Sequence, residues 1–276
     1  MKFEDQVAKR VLSFYQELPF NIRDSVMEAA RHVRSHDPVQ TYTPLKENFK
    51  DRRILEVGCG VGWFSNGMSY HHDATVVGID FNPVAIDRAN ATAAELGIST
   101  QFEVQDLFEF QPKERFQLVV SLGVLHHTPN CDLAIRRLCR EFLDVSGMLL
   151  IGLYHSYGRK PFLQHFRMMQ DSGASEDQML LEYGRLHNIV DDVTHLRSWF
   201  RDQVLHPHET QHTYCEVRRI LEAEGLSIFS TSINRFAQIE SHEAIELEEL
   251  NCESISVQAL HEGRYYPGFF VVAARR

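Results

Sequence analysis

The chain has 276 residues, is 43% hydrophobic and carries a formal net charge of −10. That length and apolar share fit one large domain, or a domain with an elaboration, around a sizeable core. The charge argues against a nucleic-acid partner, whose affinity rests on neutralised phosphates, and no apolar run is long enough to span a bilayer.

The opening "MKFEDQVAKR" is charged throughout and lacks the apolar stretch of a secretion signal. Five cysteines (Cys59, Cys131, Cys139, Cys215, Cys252) form no CxxC pair, so no disulfide framework is expected and a reduced, cytoplasmic protein is. The first fifty residues read as mostly helical, and "DPVQTYTPL" breaks that pattern. Strands then alternate with helices. "RILEVGC" is a strand and "VGWFSNGMSYHH" a helix. "ATVVGID" is a strand, followed by a helix with Asn82 as N-cap, Pro83 in its first turn and Gly97 as its stop. "TQFEVQD" and "FQLVVSLGVLHH" are strands, the second apolar enough to be buried on both faces. "CDLAIRRLCREFL" is a helix and "GMLLIGLY" a fifth strand. Strand–helix alternation of this kind predicts an α/β fold with a doubly wound, mostly parallel sheet.

Beyond Arg159 the alternation stops. "KPFLQHFRMMQ" and "SEDQMLLEYGRLHNIVDDVTHLRSWFRD" read as helices with no strand between them, so 155–212 is expected to be a helical insertion. Thr213 and Glu216 have capping-box spacing before "VRRILEAEG". "LSIFSTSINRF" and "GFFVVAARR" supply the last strands. The acidic "ESHEAIELEELNCE" between them is read as a solvated helix or loop. The organisation expected is an N-terminal helical cover, 1–48, and a main domain, 49–276, that contains the insertion.

After the first strand come Gly58, Gly60 and Gly62, with the acid Glu56 just ahead. This GxGxG spacing is not the GxGxxG of dinucleotide sites, and the lysine of a P-loop is missing. Glycines at alternate positions let a backbone approach a ligand closely. "LEVGCGVG" resembles the first motif of class I S-adenosyl-L-methionine-dependent methyltransferases. The similarity continues in register with Asp80, twenty residues past Gly60, with Asp106 in "VQDLFEF", and with "FQLVVSLGVLHHTPN", which is similar to a motif of the small-molecule branch. It covers roughly Arg52 to Tyr154 and the two closing strands. The resemblance implies a seven-stranded sheet with the last strand antiparallel. It also implies a cofactor site in which Asp80 meets the ribose hydroxyls and Asp106 the adenine amine. Glu56, Gly58, Cys59, Gly60, Gly62, Trp63, Phe81, Asn82, Leu107, Leu122 and Gly123 complete the expected site. Glu56, Asp80 and Asp106 taken singly are also ordinary strand-end or turn residues, and Trp63 also suits packing under the first helix.

The resemblance implies methyl transfer from a sulfonium to a small polar acceptor. The protein's task is then to align the nucleophile, exclude water and take up a proton. His126, and after it His127, are the candidate bases at the end of strand four, since an imidazole titrates near neutrality. A plain helix-entry turn is the competing reading. Tyr154, His155, Tyr157 and Arg159 follow strand five as candidate acceptor contacts, with Arg159 suited to a substrate carboxylate or to the surface. Asp202, His206, His208, Glu209 and His212 fall within eleven residues. Three readings stand for them: a polar wall of the acceptor pocket, a structural loop, or a metal site on His206, His208 and His212, although the spacing matches no standard signature. "FYQELPFN", Phe14 to Asn21, reads as a lid over the cofactor or as a packed amphipathic helix. With "HPHETQHT" it resembles segments of a poorly characterised bacterial methyltransferase group. Two other classes remain open from sequence: a binding module or enzyme that uses the pocket without methylating, and a methyltransferase acting on protein or tRNA. The accepting atom, the acceptor and the oligomeric state are not encoded in any motif.

Overall fold

Neighbouring residues of each central strand point to opposite faces of one sheet, and this builds two cores. In the computed structural model, which describes residues 3–46, 49–188, 192–266 and 268–276, Ile54, Leu118, Val120 and Leu150 pack on one face. Leu55, Val119, Leu149 and Ile151 pack on the other. Burying each of these side chains contributes roughly 1.5–3 kcal/mol.

The elements run α1 (Phe3–Glu17), α2 (Val26–Ser35), α3 (Pro38–Thr41), β1 (Arg53–Val57), α4 (Trp63–His72), β2 (Thr75–Asp80), α5 (Pro83–Leu96), β3 (Gln101–Val104) and β4 (Phe116–Leu122). They continue with α6 (Cys131–Arg137), β5 (Leu143–Tyr154), α7 (Ser156–Asp171), α8 (Glu176–His187), α9 (Val193–Val204) and α10 (Tyr214–Ala223). The last are β6 (Ser227–Thr231), α11 (His242–Glu249), α12 (Cys252–His261) and β7 (Phe269–Arg275). The seven strands lie in the order β3-β2-β1-β4-β5-β7-β6. Pairing is parallel from β3 to β5, and β7 is antiparallel to both its neighbours. This is the α/β architecture anticipated from the alternation.

Local signals act as their chemistry dictates. The Asn82 side chain accepts from Val84 N, Pro83 follows it, and Gly97 ends α5 in the left-handed region with φ 70°. Thr213 and Glu216 cap each other's backbone at the start of α10. The stretch 175–202, read as helical, holds two helices. Asn188 turns left-handed at the end of α8, and Asp192 caps α9 through His195 N. Residues 189–191 of that stretch lie outside the described residues, as does residue 48 at the boundary drawn between cover and main domain. Helices α7–α9 share a third core of Phe162, Phe166, Met179, Tyr183, Leu186 and Phe200.

The acidic stretch is not simply solvated. It forms α11 and runs into α12, and it buries Ile245 and the carboxylate of Glu249. At the other end of the chain, Asn82 donates to Tyr15 O, while Arg201 of α9 donates to Phe14 O and pairs with Glu17. Helix α1 is therefore tied both to the start of α5 and to the insertion.

Candidate active site

Strand order reverses between β1 and β4, the place where an open α/β sheet leaves a crevice at the carboxyl ends of its strands. A cavity of about 420 Å³ opens there. Gly58 and Gly60 line it from the loop after β1, and Asp80, Phe81 and Asn82 from the end of β2. Asp106 and Leu107 follow β3, and Leu122 and Gly123 close β4. These are nine of the thirteen residues expected for the cofactor. Tyr15, at the end of α1, and Pro19 and Phe20 beyond it also line the cavity. Three residues of the "FYQELPFN" segment thus line the cavity.

The loop after β1 winds through three left-handed residues, Gly58, Gly60 and Gly62, with φ of 72°, 52° and 78°. Their surroundings differ. A Cβ on Gly58 would meet Val124 Cγ2 at 2.3 Å, and one on Gly62 would meet Ala89 and Phe102 at 2.8 Å. A Cβ on Gly60 meets no atom within 4 Å. Gly58 and Gly62 are therefore glycines for packing, whereas Gly60 borders open ligand space. Gly60→Ala is expected to fold, at a cost of about 1 kcal/mol for the left-handed backbone, yet to lose cofactor affinity at least tenfold in a calorimetric titration. Unchanged affinity would mean that no ligand approaches this loop.

Asp80 sets the loop's position. Its Oδ2 accepts from Gly60 N at 2.9 Å and its Oδ1 from Asn82 N at 2.8 Å. Burial pushes this carboxyl above the usual range, and the two backbone donors pull against that. Asp106 Oδ1 similarly accepts from Phe108 N at 2.8 Å. Each carboxylate oxygen keeps lone pairs for a ligand.

The other four expected cofactor residues do not line the cavity. Glu56 points away from the β1 face that carries Leu55 and Val57. Its Oε2 takes Ser65 N at 3.0 Å and Ser65 Oγ at 2.5 Å, so it caps the first turn of α4. Burial raises its carboxyl to about 8 against those bonds. Cys59 is buried, with Sγ turned to Gly60 O. Gly62 is the N-cap of α4. Trp63 packs against the core under α4 and stands 6.1 Å from the His32 ring.

The paired histidines divide in the reverse of the expected order. His126 is fully buried behind the cavity, and its Nδ1 accepts from Tyr154 N. His127 lines the cavity. Its Nδ1 donates to His208 O at 2.8 Å, which leaves the lone pair on Nε2. Nε2 has no hydrogen-bond partner and lies 3.8 Å from Asp202 Oδ1. Burial is the largest of the influences that lower this imidazole to about 3, so it is neutral at any working pH. His206 stacks on it with ring centroids 3.6 Å apart. Asp202 accepts from Tyr15 OH at 2.5 Å and from Tyr154 OH at 3.1 Å. Tyr15 and Asp202 are the residues that sequence reasoning underrated: the first stood only within a possible lid, the second only within a cluster read as a pocket wall, a structural loop or a metal site.

The expected acceptor contacts are mostly engaged inside the protein, not at the cavity. Arg159 is fully buried and forked on Glu209, Nη2 to Oε2 at 2.7 Å and Nε to Oε1 at 3.1 Å, and it also donates to Gln203 O. Its guanidinium is stacked 3.8 Å over the Tyr154 ring. An arginine so paired holds no substrate carboxylate, which corrects that expectation. Tyr154 donates to Asp202, and Tyr157 packs its ring on His155. His208 Nε2 bonds Thr128 O, and His212 Nε2 bonds Thr210 Oγ1. The ligating atoms of His206, His208 and His212 therefore do not converge. Among the described residues only Asp24, Glu28 and Asp192 bring such atoms within 4.8 Å of one another, and exposed acids do this commonly without an ion.

His155 bonds Glu249 Oε2 at 2.9 Å through Nε2, and the same carboxylate oxygen accepts from Tyr214 N; the ring's Nδ1 faces Gly158 N and accepts that N–H only when the ring is neutral. Burial alone would lower this imidazole, but Cys252 and Glu249 outweigh it and raise it from 6.5 to about 9. A raised cation stabilises fully below its unfolded value and is lost as pH climbs through the folded value. Unfolding free energy is therefore expected to fall by up to about 3 kcal/mol between pH 6.5 and 9. Glu249→Gln should flatten that slope in denaturant titrations. An equal slope in the variant would show that His155 is not the titrating group.

The chain matches the methyltransferase-domain family over residues 48–264. A ubiquinone biosynthesis O-methyltransferase of Pseudomonas syringae pv. tomato is 29% identical over 177 residues, 60% of this chain and 72% of that protein. A probable chloroplastic tocopherol O-methyltransferase of Oryza sativa subsp. japonica is 35% identical over 109 residues, and the match spans 38% of this chain and only 30% of that protein. The crystal structure of magnesium protoporphyrin IX methyltransferase from Synechocystis PCC 6803 with bound SAH is similar in fold, with TM-score 0.54, 18% identity and 99% and 96% of the two chains covered.

Proposed function

The chain belongs to the methyltransferase-domain family, and from that premise we propose that it moves a methyl group from S-adenosyl-L-methionine to a small-molecule acceptor. The observation that carries this reading is the cavity itself, with glycine loop, strand-end carboxylates and apolar walls converging at the switch point. The residues fit the cofactor. Asp80 and Asp106 have unused acceptor capacity for ribose hydroxyls and an amine, Leu107 and Leu133 offer apolar walls, and Gly60 leaves space where a side chain would intrude. No Lys or Arg stands among the described lining residues, which suits a cationic sulfonium. The names of the O-methyltransferase relatives and of the SAH-bound structural neighbour support the same reading.

When bound, S-adenosyl-L-methionine supplies an electrophilic methyl carbon on sulfur. The protein's own groups then do three things. The glycine loop and Asp80 fix the ligand along the sheet edge. Tyr15, Pro19 and Phe20 exclude water from above. His127, held in one tautomer by the His208 carbonyl, keeps a lone pair at the acceptor end of the cavity. The insertion α7–α9 supports this end from outside, as an acceptor cap. No described helix is long and apolar enough to cross a membrane. The free cysteines fit a reducing, cytoplasmic setting, and the charge of −10 disfavours a nucleic-acid acceptor.

Titration of S-adenosyl-L-methionine and of S-adenosylhomocysteine into the folded protein tests the reading. Micromolar binding of both is expected, with release of S-adenosylhomocysteine once an acceptor is supplied. No heat of binding to the folded protein would end it.

A further inference from the structure

Three arginines of α6 and the turn after it, Arg136, Arg137 and Arg140, fall at helical spacing, yet they do different things. Arg136 and Arg140 both reach Glu224, just past α10. Arg137 turns toward the loop that follows β3, and its side chain is only 16% exposed. Its Nε donates to Leu107 O at 2.8 Å and its Nη2 to Phe110 O at 2.8 Å. Those two nitrogens form one edge of the planar guanidinium, so a single rigid fork spans both carbonyls. The third nitrogen, Nη1, pairs with Glu141 Oε1 at 2.9 Å. Beyond Arg137 the helix widens into a π-helical turn, Leu138–Phe142, which brings Phe142 under the guanidinium with Cζ 5.6 Å from the ring centre.

The loop that Arg137 holds is a single helical turn. Asp106 O accepts from Glu109 N and Phe110 N, and Asp106 Oδ1 accepts from Phe108 N. Asp106 therefore caps the end of the turn where N–H groups point outward. Carbonyls of a helical turn point the opposite way, and those of Leu107 and Phe110 take their donor from Arg137. Asp106 and Leu107 both line the cavity, and Leu107 is buried. Leu133 lines it from α6. Leu133 and Arg137 lie four residues apart on that helix, one turn along the same face. Arg137 thus joins the two apolar walls, Leu107 on the loop and Leu133 on the helix, and sets the distance between them. Phe110 anchors the turn from below, buried against Phe142 with ring centres 5.6 Å apart.

We propose that Arg137 is a positioning residue for the adenine of S-adenosyl-L-methionine: its fork fixes the Asp106–Phe110 turn so that Asp106 meets the exocyclic amine of a base held between Leu107 and Leu133. This rests on the methyltransferase reading above. Arg137 is not itself among the described lining residues, so it acts through Asp106 and Leu107. A lysine cannot replace it. Its ammonium is a point charge on a flexible stem and offers no planar pair of donors to the two carbonyls. With the fork gone, the turn keeps its Asp106 cap and its Phe110 anchor but loses its fixed distance from α6. The Asp106 carboxylate then moves relative to the base, while Asp80 and the glycine loop, which Arg137 does not touch, hold the ribose as before.

The test titrates two ligands into the whole chain: S-adenosylhomocysteine, and S-inosylhomocysteine, in which a carbonyl oxygen replaces the exocyclic amine. Wild type should prefer the first by about tenfold or more, the worth of one hydrogen bond to a charged group. Arg137→Lys should bind S-adenosylhomocysteine about tenfold more weakly and S-inosylhomocysteine about as before, so the preference collapses. Arg137→Gln should do the same, and it carries the comparison if the lysine variant does not fold. Glu141→Gln, which removes only the partner of Nη1, should change neither affinity. The unliganded unfolding midpoint is recorded for each variant. Equal weakening of both ligands in a folded Arg137 variant would make Arg137 a scaffold residue and overturn the positioning role. So would an unchanged preference, or a collapse of the preference in Glu141→Gln. A wild type that binds both ligands alike also overturns the proposal, because Asp106 then does not meet the amine; its binding of S-adenosylhomocysteine leaves the methyltransferase reading standing. Failure of the folded wild type to bind S-adenosylhomocysteine takes down both.

Discussion

Asp80→Asn is expected to lower the affinity for S-adenosylhomocysteine about a thousandfold, the loss of two charge-assisted hydrogen bonds at roughly 1.5–3 kcal/mol each. The carboxylate already accepts one backbone N–H on each oxygen, from Gly60 and from Asn82. Each oxygen has a second lone pair free for a ribose hydroxyl. An amide at this position turns one oxygen into a donor, which then faces the N–H of Gly60 or of Asn82. The loop that holds Gly60 loses its tether at the same time as the ligand loses its acceptor. The fold should survive, because the sheet and its two cores do not depend on this charge and burial already works against it. Calorimetry, with the unliganded unfolding midpoint as control, reads the two effects apart. Affinity within a few-fold of wild type, at an unchanged midpoint, would place the ribose elsewhere.

Asp80 was legible in the sequence for a reason that also explains what was not. The residues at strand ends sit at fixed offsets from apolar runs, so Gly58, Gly60, Asp80, Asp106, Leu122 and Gly123 could be named from spacing and a family resemblance. The pleat limits that logic. Glu56 lies within the same motif, yet its side chain alternates away from Leu55 and Val57 and reaches Ser65 of α4. Spacing alone does not distinguish a carboxylate that caps a helix from one that meets a ligand. The acidic stretch misled by its average, since composition cannot single out Glu249 as the one carboxylate turned inward to His155. Contacts between distant segments were invisible. Tyr15 and Asp202 meet across 187 residues, and the link depends on where α1 and α9 come to rest. No local pattern encodes that. His127 overtook His126 because a single tight turn sends one ring to the cavity and the other beneath it.

Arg159 carries the second large effect, and it is one of stability. Arg159→Met is expected to destabilise the protein by about 3–5 kcal/mol, the usual cost of stranding one member of a buried ion pair. Glu209 would lose both guanidinium bonds while its side chain stays only 12% exposed. Gln203 O would lose its donor, and the Tyr154 ring the guanidinium stacked on it. Adding Glu209→Gln should return a large part of the loss, because the stranded charge is then gone. Denaturant unfolding of the two single variants and the double variant measures this as a coupling energy. Had Arg159 bound a substrate carboxylate, the single variant would keep its stability and raise KM alone. The consequence for the site is indirect but large. Arg159 of α7 ties together Gln203, at the end of α9, and Glu209, in the loop beyond. Asp202 and His206 sit in that same stretch, the first accepting the Tyr15 hydroxyl and the second stacked on the His127 ring. A protein that loses this ion pair should therefore also lose the order of its acceptor end, while Asp80 and the glycine loop, anchored on the other side of the switch point, continue to bind S-adenosylhomocysteine.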